Sequence, residues 1–573
     1  MTSLKEFGRL ATLESFWIKN FKSIRDLRLD MSSKLNIIIG TNGSGKTALV
    51  EALELLTSTL DWARGLNLNP FSRWWGYNNV VWRHDENLPI TIGVKLQVDN
   101  LENRIREIIH LLGDIMIIEY LRETLINLSE PMNITYELDI SGKGGRFQIL
   151  RENLIVEGKS FKIHVDTAKN LMIFTTNMME IFKSFVKLMN KLKESYEKKL
   201  ETFPPELIAL YAELEEIDRK QKLAPEIKDM LEKASLTLLF NISEIFSPTV
   251  SELKFACEIE KTYLIHMVFP ILERNITLGT IVTPEDFVGY IEEGVLGEKC
   301  REKMVRTIRE TLSFNTNSPR YQDLISKRKD LNVDLLQEIV KKVSTEIMIE
   351  YILRDISLII SIASLIVYGF IDGITILRNI DWRAILTPQS LERQERLKSD
   401  ASNFIQFFFT ITGGHVDEGL KEALKYAFPG YEDFNVIFEA TADGRVFMRL
   451  IADDLRLAPI SIPQGVLKTL ILESLLRWRP TLLVVDEFEN SLHPELQQFL
   501  IDEFRYSDLY VILTTHSTTP VNYVKKVQEV IILRLENGET KAYRLNEEIA
   551  EILRNRKLTL SELISSGLLE LKG

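Results

Sequence analysis

Residues 12–21 and 24–31 read as two strands joined by the turn Asn20-Phe21-Lys22-Ser23, and a short unbroken apolar run follows at residues 35–39. An unbroken run of that length predicts a strand covered on both faces. Residues 48–56 carry helix formers and predict a helix directly behind it. After a stretch rich in Trp, Asn and Gly (residues 61–86), apolar and polar positions alternate at 89–98, 134–140, 146–150 and 160–165. Period-two patterning predicts an antiparallel sheet, with Ser141-Gly142-Lys143-Gly144-Gly145 as a hairpin turn. Residues 101–128 read as one or two helices between its first strands.

From about Met172 to about Ile380 the pattern turns helical. Phe182, Phe185, Met189, Leu192 and Tyr196 recur at heptad-like steps, Pro204-Pro205 interrupts, and Leu207, Leu210, Leu214 and Ile217 resume the period. This predicts an antiparallel helical hairpin. A second α/β block follows: helices at 401–412 and 420–427, a hairpin of 434–440 and 445–451 turning at Asp443-Gly444, and a helix at 464–478. Buried strands at 481–485 and 509–513 flank a helix at 495–504. Strands at 529–533 and 540–543 precede helices from Asn546. The expected division is therefore 1–170 and 381–573 as two parts of one α/β head, interrupted by a mainly helical insertion at 171–380.

Composition changes this picture little. At 573 residues, 45% hydrophobic and 27% charged, the chain has the make-up of an ordinary soluble protein of two or three domains. A net charge of −12 gives no global attraction to nucleic acid or anionic membrane, so any DNA contact needs a local basic surface. Candidates are residues 301–309 and 326–329, whereas the run 191–199 mixes Lys with Glu and reads as a solvated face. Cys257 and Cys300 stand far apart, which argues against a disulfide framework or a zinc site and fits a cytoplasmic setting. The longest uncharged run, residues 356–371, is shorter than the ~20 residues that cross a bilayer and predicts a buried helix instead.

The chemistry concentrates at Gly40-Thr41-Asn42-Gly43-Ser44-Gly45-Lys46-Thr47, which matches G-x-x-x-x-G-K-[ST] between an apolar strand and a helix. Glycines let successive backbone N–H groups point at anionic oxygens, and the helix N-terminus behind them adds positive potential. Gly40, Asn42, Gly43, Ser44, Gly45, Lys46 and Thr47 are thus expected to cradle a nucleoside triphosphate. Lys46 would reach the β- and γ-phosphates, and Thr47 would take one position on Mg²⁺. Lys22 lies either near the phosphates or in a solvated turn. Far downstream, Asp486 and Glu487 end a buried strand, where an aspartate can hold Mg²⁺ through its water shell and a glutamate can polarise the attacking water. His516 ends the next strand, placed to hydrogen-bond the γ-phosphate or that water.

Taken together, residues 40–47, 484–487, 489–494 and 514–517 resemble the ABC/SMC/RecF-like ATPases, and more closely the stand-alone AAA-type ATPases of the OLD (overcoming lysogenization defect) group. Ile18-Lys19-Asn20-Phe21-Lys22-Ser23-Ile24 resembles that family's first strands, and residues 396–403 its helix after the insertion. The resemblance covers roughly the first 165 and last 200 residues. It implies a homodimer with ATP sandwiched between subunits, each nucleotide meeting a signature segment of the partner. The matching segment is Ser461-Ile462-Pro463-Gln464-Gly465. Pro463 stands where the family usually has serine, so Ser461 or Gln464 would substitute and Gly465 is retained. Phe488 replaces the usual proline, and no glutamine matches the family's Q-loop.

The resemblance implies an Mg²⁺-dependent ATPase acting as a nucleotide-gated switch in DNA maintenance or antiviral defence. DNA, or an effector protein such as a nuclease or toxin, would be its partner, and no membrane is involved. The tail after His516 is shorter than the ~100 residues of a typical domain such as Toprim, and no C-x-x-C hook is present. The departure at Pro463 keeps an alternative open, an ATP-gated scaffold with little hydrolysis. A GTPase is disfavoured because no N-K-x-D segment follows the loop.

Overall fold

Strand β3 (Leu35–Gly40) shows how the molecule is layered: Ile38 points into one hydrophobic core, and Leu35, Ile37 and Ile39 into another. Its neighbours β14 (Leu482–Val485) and β15 (Tyr510–Thr515) divide their residues in the same way. Burial on both faces explains runs without polar positions. The computed structural model describes residues 5–101, 103–104, 130–177, 235–241, 345–556 and 558–565.

These strands belong to a six-stranded sheet ordered β10-β14-β15-β3-β16-β17, where β10 is Ile374–Leu377, β16 Val530–Glu536 and β17 Glu539–Arg544. All are parallel except the edge strand β17. The sheet is thus assembled from both ends of the chain. Pairing of Val485 with Leu513, of Thr514 with Ile38 and of Leu533 with Gly40 brings the carboxyl ends level. That edge is where open α/β sheets bind ligands.

The second sheet has eight strands, in the order β2-β1-β4-β5-β6-β7-β8-β9. They are β1 (Thr12–Phe21), β2 (Ile24–Asp30), β4 (Ile90–Val98), β5 (Met132–Ser141), β6 (Gln148–Glu157), β7 (Phe161–Asp166), β8 (Leu171–Asn177) and β9 (Ser235–Asn241). All of its pairings are antiparallel. The first core lies between the two sheets and holds helix α1 (Lys46–Ala63) and helix α2 (Thr345–Asp372). Most described residues of the uncharged run 356–371 are buried within α2, and among the described residues no helix is long and apolar enough to cross a membrane.

The antiparallel sheet extends further than the sequence suggests. Leu171–Asn177, expected to begin the helical insertion, is strand β8, with Met172, Phe174 and Thr176 buried on alternate positions. Because the residues between them are also mostly apolar, the period of two does not stand out. Its partner β9 comes from some sixty positions later, a pairing no local pattern reveals. The six-stranded sheet likewise resumes at Ile374, ahead of the expected boundary at 381. The heptad-like segment at 182–217 and the basic stretches at 191–199, 301–309 and 326–329 lie outside the described residues.

The second core covers the other face of the six-stranded sheet with helices α3 (Phe404–Thr412), α4 (Glu418–Ala427), α5 (Gln464–Trp478) and α6 (Pro494–Tyr506). A three-stranded sheet, β11 (Phe434–Ala440), β12 (Val446–Ala452) and β13 (Leu455–Leu457), packs beside them, with Gly444 in the left-handed region at the expected hairpin tip.

Candidate functional site: a phosphate loop facing two acids

The loop between β3 and α1 is built around close approaches. A side chain at Gly40 would meet the Leu533 carbonyl oxygen at 2.4 Å and Ser44 Oγ at 2.5 Å. Gly43 and Gly45 take left-handed backbone angles, φ +78° and +101°, that favour glycine. Beneath Gly45 sits Thr540 of β17, whose Oγ1 would lie 2.2 Å from an added Cβ. Thr540 in turn shares a hydroxyl hydrogen bond with Ser23 and donates its N–H to the Ser23 carbonyl, both 2.8 Å. The turn at residues 20–23 therefore supports the loop through β17.

Lys46 is 4% exposed, and its Nζ donates to the carbonyls of Gly40 (2.6 Å) and Thr41 (3.0 Å). Burial lowers its pKa, and Asp486, Glu489 and Glu487 pull it back up. The lysine and the acids therefore share one electrostatic neighbourhood, although more than four hundred positions separate them in sequence. Thr41, Asn42, Gly43 and Thr47 are exposed at the loop mouth, while Ser44 Oγ is buried without a hydrogen-bond partner among the described residues.

At the end of β14 the arrangement depends on Thr514. Its hydroxyl donates to Asp486 Oδ1 (2.5 Å) and accepts the Glu487 N–H (3.0 Å). Burial pushes the Asp486 carboxyl above the usual carboxylate range, while Thr514 and Arg378 favour its charge. Arg378, just past β10 and buried, pairs with Glu51 (3.1 Å) and Glu54 (3.2 Å) of α1. Glu487 is exposed, takes φ +50°, and accepts a hydrogen bond from Asn490 Nδ2 at 2.6 Å. Phe488 is fully buried against Phe504, which accounts for a bulky apolar side chain at this position.

His516 is exposed at the end of β15, and its backbone N–H donates to Glu489 Oε1 at 2.8 Å. The other oxygen of Glu489 is buried and has no hydrogen-bond partner among the described residues. Ser461, Pro463 and Gln464 are exposed at the N-terminus of α5, and Gln464 Oε1 accepts from Ser491 Oγ at 3.1 Å. The Lys22 ammonium pairs with Glu51, in the second turn of α1.

The sheet edge thus brings together Gly40–Thr47, Asp486, Glu487, Glu489 and His516. Thr514 belongs to the 514–517 segment, but its bridging of the two acids has no local sign in the sequence, and neither do the contacts of Thr540 and Arg378, because each depends on a partner distant in the chain. The hard oxygens of Asp486 and Thr47 fit Mg²⁺, which takes one or two protein ligands and completes its shell with phosphates and water. No group of three or more His, Cys, Asp or Glu side chains that could hold a metal ion occurs among the described residues.

The profile of the "AAA ATPase domain" family matches residues 12–352, more than half of the chain. A second profile, described as "AAA domain, putative AbiEii toxin, Type IV TA system", matches residues 450–521. Among curated proteins, the chain is 30% identical over 122 residues to the DNA replication and repair protein RecF of Lactococcus lactis subsp. cremoris. That match covers 21% of this chain and 33% of the relative. It is 39% identical over 70 residues to the chromosome partition protein Smc of Methanocaldococcus jannaschii, covering 12% of this chain and 6% of the relative. The chain therefore spans a third or less of the length of either protein. Among solved structures, the Smc head domain of Pyrococcus furiosus, bound to the C-terminal domain of ScpA, aligns with 96% of this chain and 100% of its own. The identity is 14% and the TM-score 0.35.

Proposed function

The chain belongs to the AAA ATPase domain family, and from that premise we propose that it binds and hydrolyses ATP as a nucleotide-gated dimeric switch of the OLD type. The observation that carries the reading is the meeting of the β3 loop, Asp486, Glu487 and the end of β15 at one sheet edge, with Thr514 bridging the two acids. Gly40, Asn42, Gly43, Ser44 and Gly45 line the phosphates, and Lys46 turns from its own loop carbonyls to the β- and γ-phosphates. Thr47 and Asp486 would hold Mg²⁺, which when bound would offset charge on the phosphate oxygens. Glu487 takes the proton of the attacking water, and His516 hydrogen-bonds that water or the γ-phosphate. Ser461, Gln464 and Gly465, exposed at the start of α5, meet the nucleotide of a second copy.

RecF and Smc relatives named for DNA replication, repair and chromosome partition support DNA as what the switch acts on. The toxin named by the second matching profile supports an effector protein as its partner in defence. A second reading, an ATP-gated scaffold with little turnover, is favoured by one observation: Pro463, which offers no hydroxyl, caps the exposed end of α5. Steady-state phosphate release by the wild type and by Glu487→Gln separates the two. The switch requires the substitution to reduce release by about 100-fold or more; equal rates would leave the scaffold.

A further inference from the structure

Lysine resists burial because its ammonium is strongly hydrated and has three donors to satisfy. Lys468, in the second turn of α5, is nevertheless only 2% exposed. Its Nζ donates to the carbonyl oxygens of Asn490 (2.8 Å), Phe488 (3.0 Å) and Glu487 (3.2 Å). No carboxylate lies within ion-pair distance of it among the described residues. Asp486, Glu487 and Glu489 are near enough to favour its charge, against burial, which brings its pKa down to about 8.

The three carbonyls belong to a strained turn. Glu487 (φ +50°) and Ser491 (φ +64°) both lie in the left-handed region, which non-glycine residues enter at a cost. Such a conformation persists only where its surroundings over-determine it. Here β15 fixes one side, with the Glu487 N–H on Thr514 Oγ1 and the Phe488 N–H on the Thr514 carbonyl. Helix α5 fixes the other. Besides the lysine, Gln464 accepts the Ser491 hydroxyl, and an added Cβ on Gly465 would sit 2.8 Å from the Ser491 carbonyl oxygen.

We propose that Lys468 is a positioning residue for Glu487: its ammonium gathers the carbonyls of residues 487, 488 and 490 and so holds the carboxylate in its working orientation. The proposal rests on Glu487 being the base. It explains why a full charge is buried on α5 where an apolar side chain would pack more easily, and why Gly465 is needed whatever it meets outside the chain. Lys468 is buried and spends its ammonium on three backbone carbonyls, so its loss should act on the rate and spare nucleotide affinity.

The test is Lys468→Met in the full chain, with ATP affinity, steady-state phosphate release and amide exchange each measured. The expected result is ATP binding within about threefold of wild type, release reduced about 100-fold as expected for a misplaced catalytic group, and faster exchange of the Glu487 and Phe488 amides. Unchanged exchange at those amides, or binding and rate falling in the same proportion, overturns the proposal. Should Lys468→Met not fold, Ser491→Ala removes a milder grip from an exposed position. A smaller loss of rate at unchanged affinity supports the clamp, and no change in either rate or exchange refutes it. Equal release by wild type and Glu487→Gln would sink the hydrolytic reading instead, and amide exchange would still decide the clamp.

Discussion

A threonine hydroxyl can give one hydrogen bond and accept two, and Thr514 spends the first on Asp486 and one of the others on Glu487. Replacing it with valine keeps the shape and removes both bonds. The Asp486 carboxyl then loses a donor that favours its charge in a half-buried place, and the Glu487 amide loses its acceptor. Thr514→Val should therefore need more Mg²⁺ for half-maximal phosphate release and lose about 1–3 kcal/mol of stability. A magnesium titration and a denaturant melt check both parts; an unshifted titration would refute the bridging role. The phosphate loop was legible because its eight residues are contiguous. The roles of Thr514 and Lys468 were not, since their importance lies in carbonyls and carboxylates that only folding brings to them. Lys22 illustrates the same limit: its charge was visible in the sequence, but not its pairing with Glu51.

At the scale of elements, α5 is legible to the residue: the helix expected at 464–478 runs over Gln464–Trp478 and stops at Arg479, which takes left-handed backbone angles just before Pro480. What it buries is less obvious. Glu473 is 4% exposed, with Oε2 held by Arg477 at 3.0 Å and Oε1 lacking a hydrogen-bond partner among the described residues. Burial pushes its carboxyl up to about 7 from the ordinary 4.5. The folded state thus binds this proton more tightly than the unfolded chain does, and the resulting stability is present in full below about pH 4.5 and lost as pH rises through about 7. Glu473→Gln should flatten the melting temperature over that window and make the variant at least as stable as wild type near about pH 8. Parallel curves for the two proteins would refute it. The antiparallel sheet shows the converse limit on reading. Strand β5 alternates between buried and half-buried positions along most of its length, while β8 opens on four consecutive apolar residues, 171–174, that hide its period.

For the whole molecule, the decisive feature is that the proposed site is exposed among the described residues. Thr41, Asn42, Gly43, Thr47, Glu487 and His516 are exposed at the sheet edge, and no described element covers them. Phosphoryl transfer profits from excluding bulk water, because charges act more strongly in a closed site. In the proposed dimeric switch, a second copy of the chain supplies the cover. Ile460, 85% exposed and next to Ser461, gives such a cover an apolar contact beside the segment that would meet the nucleotide. Glu487→Gln should therefore double in mass in solution with ATP and Mg²⁺ and return to the single mass when nucleotide is removed. Adding Ile460→Asp to that variant should abolish the doubling while one chain still binds ATP, because the loop and acids belong to a single subunit. A mass that ignores nucleotide would remove the sandwich. Doubling that survives Ile460→Asp would move the contact elsewhere on the sheet edge. The same measurement repeated with DNA distinguishes what the closed form acts on: a further nucleotide-dependent gain in mass with DNA supports genome maintenance, and no gain shifts the weight to a protein effector.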